Sequence, residues 1–156
     1  GGGKKMLYSY PGCFFQRPDG KLCLVFPDLN NLAIFGDDFN GTLSKGINLL
    51  AKYLFNMQLK KEVAPVPSNI DTIKPKLSEE YSRAFIKIVT VEVDEYSKTH
   101  FEREVKKSVS LPQWLYDLAV KESIDISKLT KKALYKELGI DEMARKKMIE
   151  IKLEIA

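Results

Sequence analysis

One histidine, two cysteines and a scatter of aspartates are the residues with catalytic or metal-binding potential in this 156-residue chain. His100 stands in a polar stretch, "DEYSKTHFERE", with no partner at metal-ligand or triad spacing, and reads as a surface residue. Cys13 and Cys23 lie in "CFFQRPDGKLCLVF", a hairpin pattern turning at Pro18-Asp19-Gly20. A two-residue loop would set them on opposite faces of the ribbon, because side chains alternate. That geometry excludes a disulfide and predicts two free, half-buried thiols, as in a reducing cytoplasm. Asp19, Asp28, Asp37 and Asp38 fall at turns, where turn-making and helix capping explain them. A metal-dependent nuclease needs several carboxylates around two ions. The first strand-like segment, "MLYSYPGCFFQ", contains none. The chain therefore reads as non-enzymatic, with no catalytic residue, no metal site and no cofactor.

A different chemistry resides in "KKSVSLPQWLY", residues 106–116. Val105, Lys107, Val109 and Leu111 share one face of a short strand, and Lys106, Ser108 and Ser110 share the other. Pro112 opens a helix with Trp114, Leu115, Leu118 and Ala119 on its apolar face, running to about Ser123. Asp125 in the following turn is read as the residue with an unusual backbone angle. Ser127 is read as the N-cap of a second helix, apolar at Leu129, Ala133, Leu134 and Leu138 and stopped by Gly139. A lone strand leaves its backbone groups unpaired. Two copies resolve this by pairing strands into an antiparallel ribbon and burying Val109, Leu111, Trp114, Leu118 and Leu134 between four helices. Lys106, Ser108 and Ser110 then line a ribbon that fits the DNA major groove. The amides around Ser127 and Lys128 offer a phosphate site. Charge agrees: residues 98–136 hold 9 Lys/Arg against 5 Asp/Glu, whereas residues 6–97 hold 10 against 11.

The remaining sequence supplies a second body. "MLYSYPGCFFQ", "KLCLVF" and "LAIFG" read as strands. Asp37 or Asp38 caps a helix with Phe39, Leu43, Ile47, Leu50, Leu54 and Met57 on one stripe. Gly41 and Gly46 weaken that helix unless they permit close packing on the sheet. "VAPVPSNIDTIKP" is an extended connection and "AFIKIVTVEV" a buried strand. The expected organisation is an added stretch at Gly1–Lys5 ahead of a native start at Met6, an α+β domain over 6–93 and a linker over 94–104 that could be helical. A strand-helix-helix module over 105–138 and an amphipathic helix over 139–156 follow. Neither a membrane span nor a signal peptide is apparent.

The 105–138 segment resembles a ribbon-helix-helix DNA-binding domain, departing at Asp125, where many such domains carry glycine. The N-terminal part resembles the HicB family of antitoxins. The residues that carry the likeness are Tyr10-Pro11, Asp19-Gly20, Phe26-Pro27-Asp28-Leu29 and Gly36-Asp37-Asp38 before a helix, then "PVPSNID" and a hydrophobic strand. Gly41, Thr42 and Gly46 depart from it, at positions where relatives more often have helix formers. The resemblance implies a partly reduced RNase H-like domain, an antiparallel sheet packed with a helix, joined to a ribbon-helix-helix dimerisation module. It also implies a HicA-type ribonuclease toxin as partner and autorepression through operator double-stranded DNA by a homodimer, with a higher oligomer left open. Charge complementarity alone suggests Asp28, Asp37 and Asp38 as acidic contacts for a basic toxin. An active nuclease is set aside by the missing carboxylates, and two other readings stay open: a stand-alone repressor without a toxin, and a ribbon that serves only to dimerise.

Overall fold

The computed structural model describes residues 7–140. The added stretch read at Gly1–Lys5 and the tail helix, from Asp141 on, lie outside the described residues. The chain divides into two units between Glu102 and Arg103.

In the first unit, strands β1 (Leu7–Gln16), β2 (Leu22–Phe26), β3 (Leu32–Gly36) and β4 (Arg83–Glu92) form an antiparallel sheet in the order β3-β2-β1-β4. Helix α1 (Phe39–Leu59) covers one face. Tyr10, Phe14, Leu24 and Phe26 from the sheet pack with Leu50, Ala51 and Leu54 of α1 and with Val89 and Val91 of β4. Each such side chain, fully buried, contributes roughly 1.5–3 kcal/mol. Asp38 caps α1, its carboxylate accepting from the Gly41 amide at 2.6 Å. Gly46 lets α1 close on the sheet, since a Cβ there would lie 2.2 Å from Leu24 Cδ2. Thr42, buried on the same helix, donates to the Asp38 carbonyl at 2.6 Å. The three departures at Gly41, Thr42 and Gly46 thus each serve the cap or the helix–sheet contact.

The hairpin differs from expectation by one residue. The Arg17 amide donates to Lys21 O at 2.8 Å and the Gly20 amide to Arg17 O at 2.9 Å, with Gly20 at φ +92°. This is a three-residue loop, with glycine in the left-handed position it needs. The added residue reverses the parity: Cys13 lies opposite Val25 and Cys23 opposite Phe15. Both thiols therefore share the face away from α1 and are buried there, rather than half-buried on opposite faces. They stand diagonally, roughly 7–8 Å apart by backbone spacing, against the roughly 4 Å between Cβ atoms that a disulfide requires. Both are free.

Two further expectations are corrected. The last strand, expected to be buried, is an edge strand: Val89 and Val91 face α1, whereas Ile88 on the other face is 53% exposed. Residues 94–104 are not simply a linker, because α2 (Val93–His100) packs on α1. Val93 and Ser97 are buried, the Phe101 ring lies 5.4 Å from that of Phe55, and Asn48 donates to the Tyr96 hydroxyl at 3.0 Å. Between α1 and β4 the chain is extended and tied at both ends. Tyr10 donates its hydroxyl to Pro65 O at 2.6 Å, and the Ser82 amide donates to Gln16 O at 2.7 Å.

The second unit holds α3 (Gln113–Lys121) and α4 (Ile126–Glu137). Ser123, not Asp125, takes the left-handed angle between them, at φ +56°. The Ser123 and Ile124 amides close the end of α3 on the Val120 and Ala119 carbonyls. Asp125 is extended and caps α4, its carboxylate accepting from the Lys128 amide at 3.0 Å, so Ser127 sits inside the first turn. Gly139, at φ +68°, ends α4 as its sequence position suggests. No described residue of this unit is buried.

Candidate nucleic-acid and partner surfaces

In the second unit, residues 105–111, expected as a strand, form none and have no ladder partner among the described residues, since a lone strand needs a second one to pair with, and Lys106, Ser108 and Ser110 are exposed. Val109 and Leu111 on the same segment, Trp114 and Leu118 on α3 and Leu134 on α4 are also exposed, Trp114 by 64%. Ordinary soluble surfaces scatter such residues singly. Here they follow one another along the strand-like segment and recur at helical spacing on α3. At the start of α4 the aspartate cap occupies the Lys128 amide and places a negative charge where a phosphate was expected. The Lys128 side chain is exposed and remains a candidate phosphate contact. The Lys131 ammonium lies 3.5 Å from Glu104, an exposed pair of the kind worth at most about 1 kcal/mol.

The three aspartates suggested as toxin contacts, Asp28, Asp37 and Asp38, are not gathered at one place in the first unit. Asp28 lies in a short 3-10 turn, Pro27–Leu29, and accepts from the Ser68 amide at 2.9 Å and from the Ser68 hydroxyl. Asp38 is occupied by the α1 cap. Asp28 precedes β3 and Asp37 follows it, so the five residues of the strand, roughly 17 Å, separate them. The same separation keeps these carboxylates from assembling a two-metal site. Among the described residues no group of three or more His, Cys, Asp or Glu is placed to hold a metal ion.

Asp37 instead shares a shallow cavity of about 240 Å³ with Arg17, Lys21 and Lys45. Phe35 and Tyr81 line the same cavity, and Lys45 donates to Phe35 O at 3.4 Å. These cations come from the hairpin loop and from α1, so no spacing in the sequence announces their meeting.

Burial raises both thiols above their ordinary range, with Asp28 adding to the effect at Cys13 and Glu80 at Cys23. Burial likewise raises Tyr10 and Tyr81. Neutral, buried thiols are poor nucleophiles. His100 is exposed and stacks on Tyr96 at 3.7 Å between ring centroids, with its Nδ1 2.9 Å from Tyr96 O. Its contacts are those of a helix C-terminus. Among the described residues no helix is long and apolar enough to cross a membrane.

No family model matches the sequence, and neither does any curated protein. Solved structures do match. A crystal structure of the antitoxin HicB from Burkholderia pseudomallei is 13% identical, over 84% of this chain and 96% of that one, at a TM-score of 0.48. A chain of a toxin–antitoxin complex from Streptococcus pneumoniae is 22% identical, over 85% of this chain and 99% of that one, at a TM-score of 0.58. The chain shares its fold with that component of a toxin–antitoxin complex.

Proposed function

We propose that the chain is a HicB-family antitoxin. Its first unit binds and neutralises a HicA-type ribonuclease toxin. Its second unit dimerises as a ribbon-helix-helix and represses its own operon by binding operator DNA. The protein acts by binding, not by catalysis.

The observation that carries this reading is the fold shared with a chain of a toxin–antitoxin complex, over 85% of the sequence. The Tyr10-Pro11, Phe26-Pro27-Asp28-Leu29 and Gly36-Asp37-Asp38 motifs support the family from the sequence side. Dimerisation is supported by the uncovered Val109, Leu111, Trp114, Leu118 and Leu134 and by a strand-like segment without a partner. DNA binding is supported by the exposed Lys106, Ser108 and Ser110 and by the local cation excess. Lys128 and Ser127 contribute through their side chains, the Lys128 amide being engaged by Asp125.

A gel-shift series on the DNA upstream of the gene, across salt concentrations, tests the repressor half. Specific binding should weaken steeply as salt rises, because phosphate contacts release counterions. Lys106→Ala should weaken operator binding, and Ser108→Ala should relax base preference, with good base contacts worth roughly 1–3 kcal/mol. Unchanged binding in both variants would remove the ribbon face from the proposal. Adding the product of the adjacent gene tests the antitoxin half. Suppression of that product's RNA cleavage is the expected result.

A further inference from the structure

The cavity beside Phe35 combines three features that ordinary surface lacks. Phe35 is 66% exposed, although it is a large aromatic residue on a strand of the sheet. Arg17, Lys21 and Lys45 surround it from two separate segments, and none has an ion-pair partner within 4 Å among the described residues. The lining itself carries three cations against Asp37, while Asp19 in the hairpin loop and Glu80 beside Cys23 and Tyr81 lie outside it. The support beneath is rigid. Leu22 and Cys23 are buried members of β2, the Tyr81 ring packs tilted against Phe15 at 5.6 Å between centroids, and the loop carrying Arg17 and Lys21 is closed by two backbone hydrogen bonds. Interface hot spots favour this combination, aromatic and arginine anchors on a preformed surface within a polar rim.

We propose that this cavity is where the first unit engages its toxin, and that the matching toxin surface is an apolar side chain flanked by carboxylates. The inference rests on the antitoxin reading above and reverses the sign of the charge complementarity suggested by the sequence. Asp28 and Asp38 are engaged by Ser68 and by the α1 cap, while the cations stand unpaired. A positive rim steers a negative partner surface and sets its register.

The test uses the full chain and the adjacent gene's product, purified as a variant without RNA cleavage so that it can be produced. Binding is measured by calorimetry at two salt concentrations. Wild-type chain should bind, more weakly at high salt. The double variant R17E/K45E should lose at least tenfold in affinity, and Phe35→Ala should do the same without changing the salt dependence. Operator binding, a property of the second unit, should stay unchanged in both, and a urea midpoint of the first unit close to wild type shows that each variant is folded. Lys98→Glu, an exposed cation on α2, serves as a control and should bind as wild type does. Toxin binding within twofold of wild type in both test variants overturns the cavity as the docking site. Absence of binding by wild type overturns the antitoxin reading, and the inference with it.

Discussion

Phe14 and Trp114 are both large aromatic residues, and the chain treats them in opposite ways. Phe14 is fully buried, stacked on Phe85 at 5.1 Å and tilted against Phe39 at the same distance. Trp114 stands in the open on α3. The first unit closes its core within a single chain, because four strands and a 21-residue helix provide two faces to bury against each other. Among its described residues the second unit has two short helices and one unpaired segment, too little to enclose a core alone. A second copy supplies the missing half in the proposed dimer. The stability of the first unit should therefore be independent of protein concentration, and that of the second should rise with it.

The sharpest way to break this contrast is in the second unit. Trp114→Ala should cost about 3–5 kcal/mol if the tryptophan is enclosed in a dimer core. At micromolar concentration that shifts the chain to monomer and abolishes operator binding, as sedimentation and a gel shift would read. Melting of the first unit should not move. A Trp114→Ala protein that remains dimeric would show that these residues do not form the interface.

A smaller effect is expected where α1 meets the sheet. Gly46→Ala pushes a methyl group into Leu24 and should destabilise the first unit by about 1–3 kcal/mol, although alanine is the better helix former. Urea unfolding followed through the first unit measures it. A gain in stability would mean that α1 can lift from β2 without loss.

How much of this was legible in the sequence depends on which interactions decide each feature. The four strands and three of the four helices follow from periodicity and turn residues, which are local. The hairpin loop was misjudged by one residue, and that slip moved Cys23 to the other face, because strand side chains have a period of two. The cap of α4 was assigned to Ser127 instead of Asp125, since both residue types can cap and only the backbone angle selects one. The sequence leaves α2 open, as a polar linker that could be helical, because its helical state rests on the contacts of Val93, Tyr96 and Phe101 with α1, which no local pattern reveals. The cavity at Phe35 was invisible for the same reason: Arg17, Lys21 and Lys45 meet only after folding.

The two caps allow a finer comparison. Asp38→Ala and Asp125→Ala each remove a carboxylate from a helix start, and each should cost about 1 kcal/mol. The first loss should appear in the concentration-independent melt and the second in the concentration-dependent one. Equal effects on both transitions would show that the units do not unfold separately.

The smallest effect is absent at neutral pH and sets in only under alkaline conditions. Cys13 and Cys23 lie in the first unit, and the second has no cysteine among its residues. Burial raises both thiols above their ordinary value of 9.0. Above that pH the unfolded chain loses thiol protons that the folded chain retains, so the unfolded state binds fewer protons and stability falls as pH rises. The thiols' contribution is thus fully present below about pH 9 and is lost as pH climbs through their folded values. Tyr10, raised in the same direction from 10.0, extends the decline to higher pH. Denaturant midpoints of the first unit should be level from pH 7 to 8 and fall from pH 9 upward. Cys23→Ala should flatten part of that slope, because the group that titrates in the unfolded chain is gone. A slope unchanged in both Cys13→Ala and Cys23→Ala would place the alkaline sensitivity on the tyrosines rather than on the thiols beneath the outer face of the sheet.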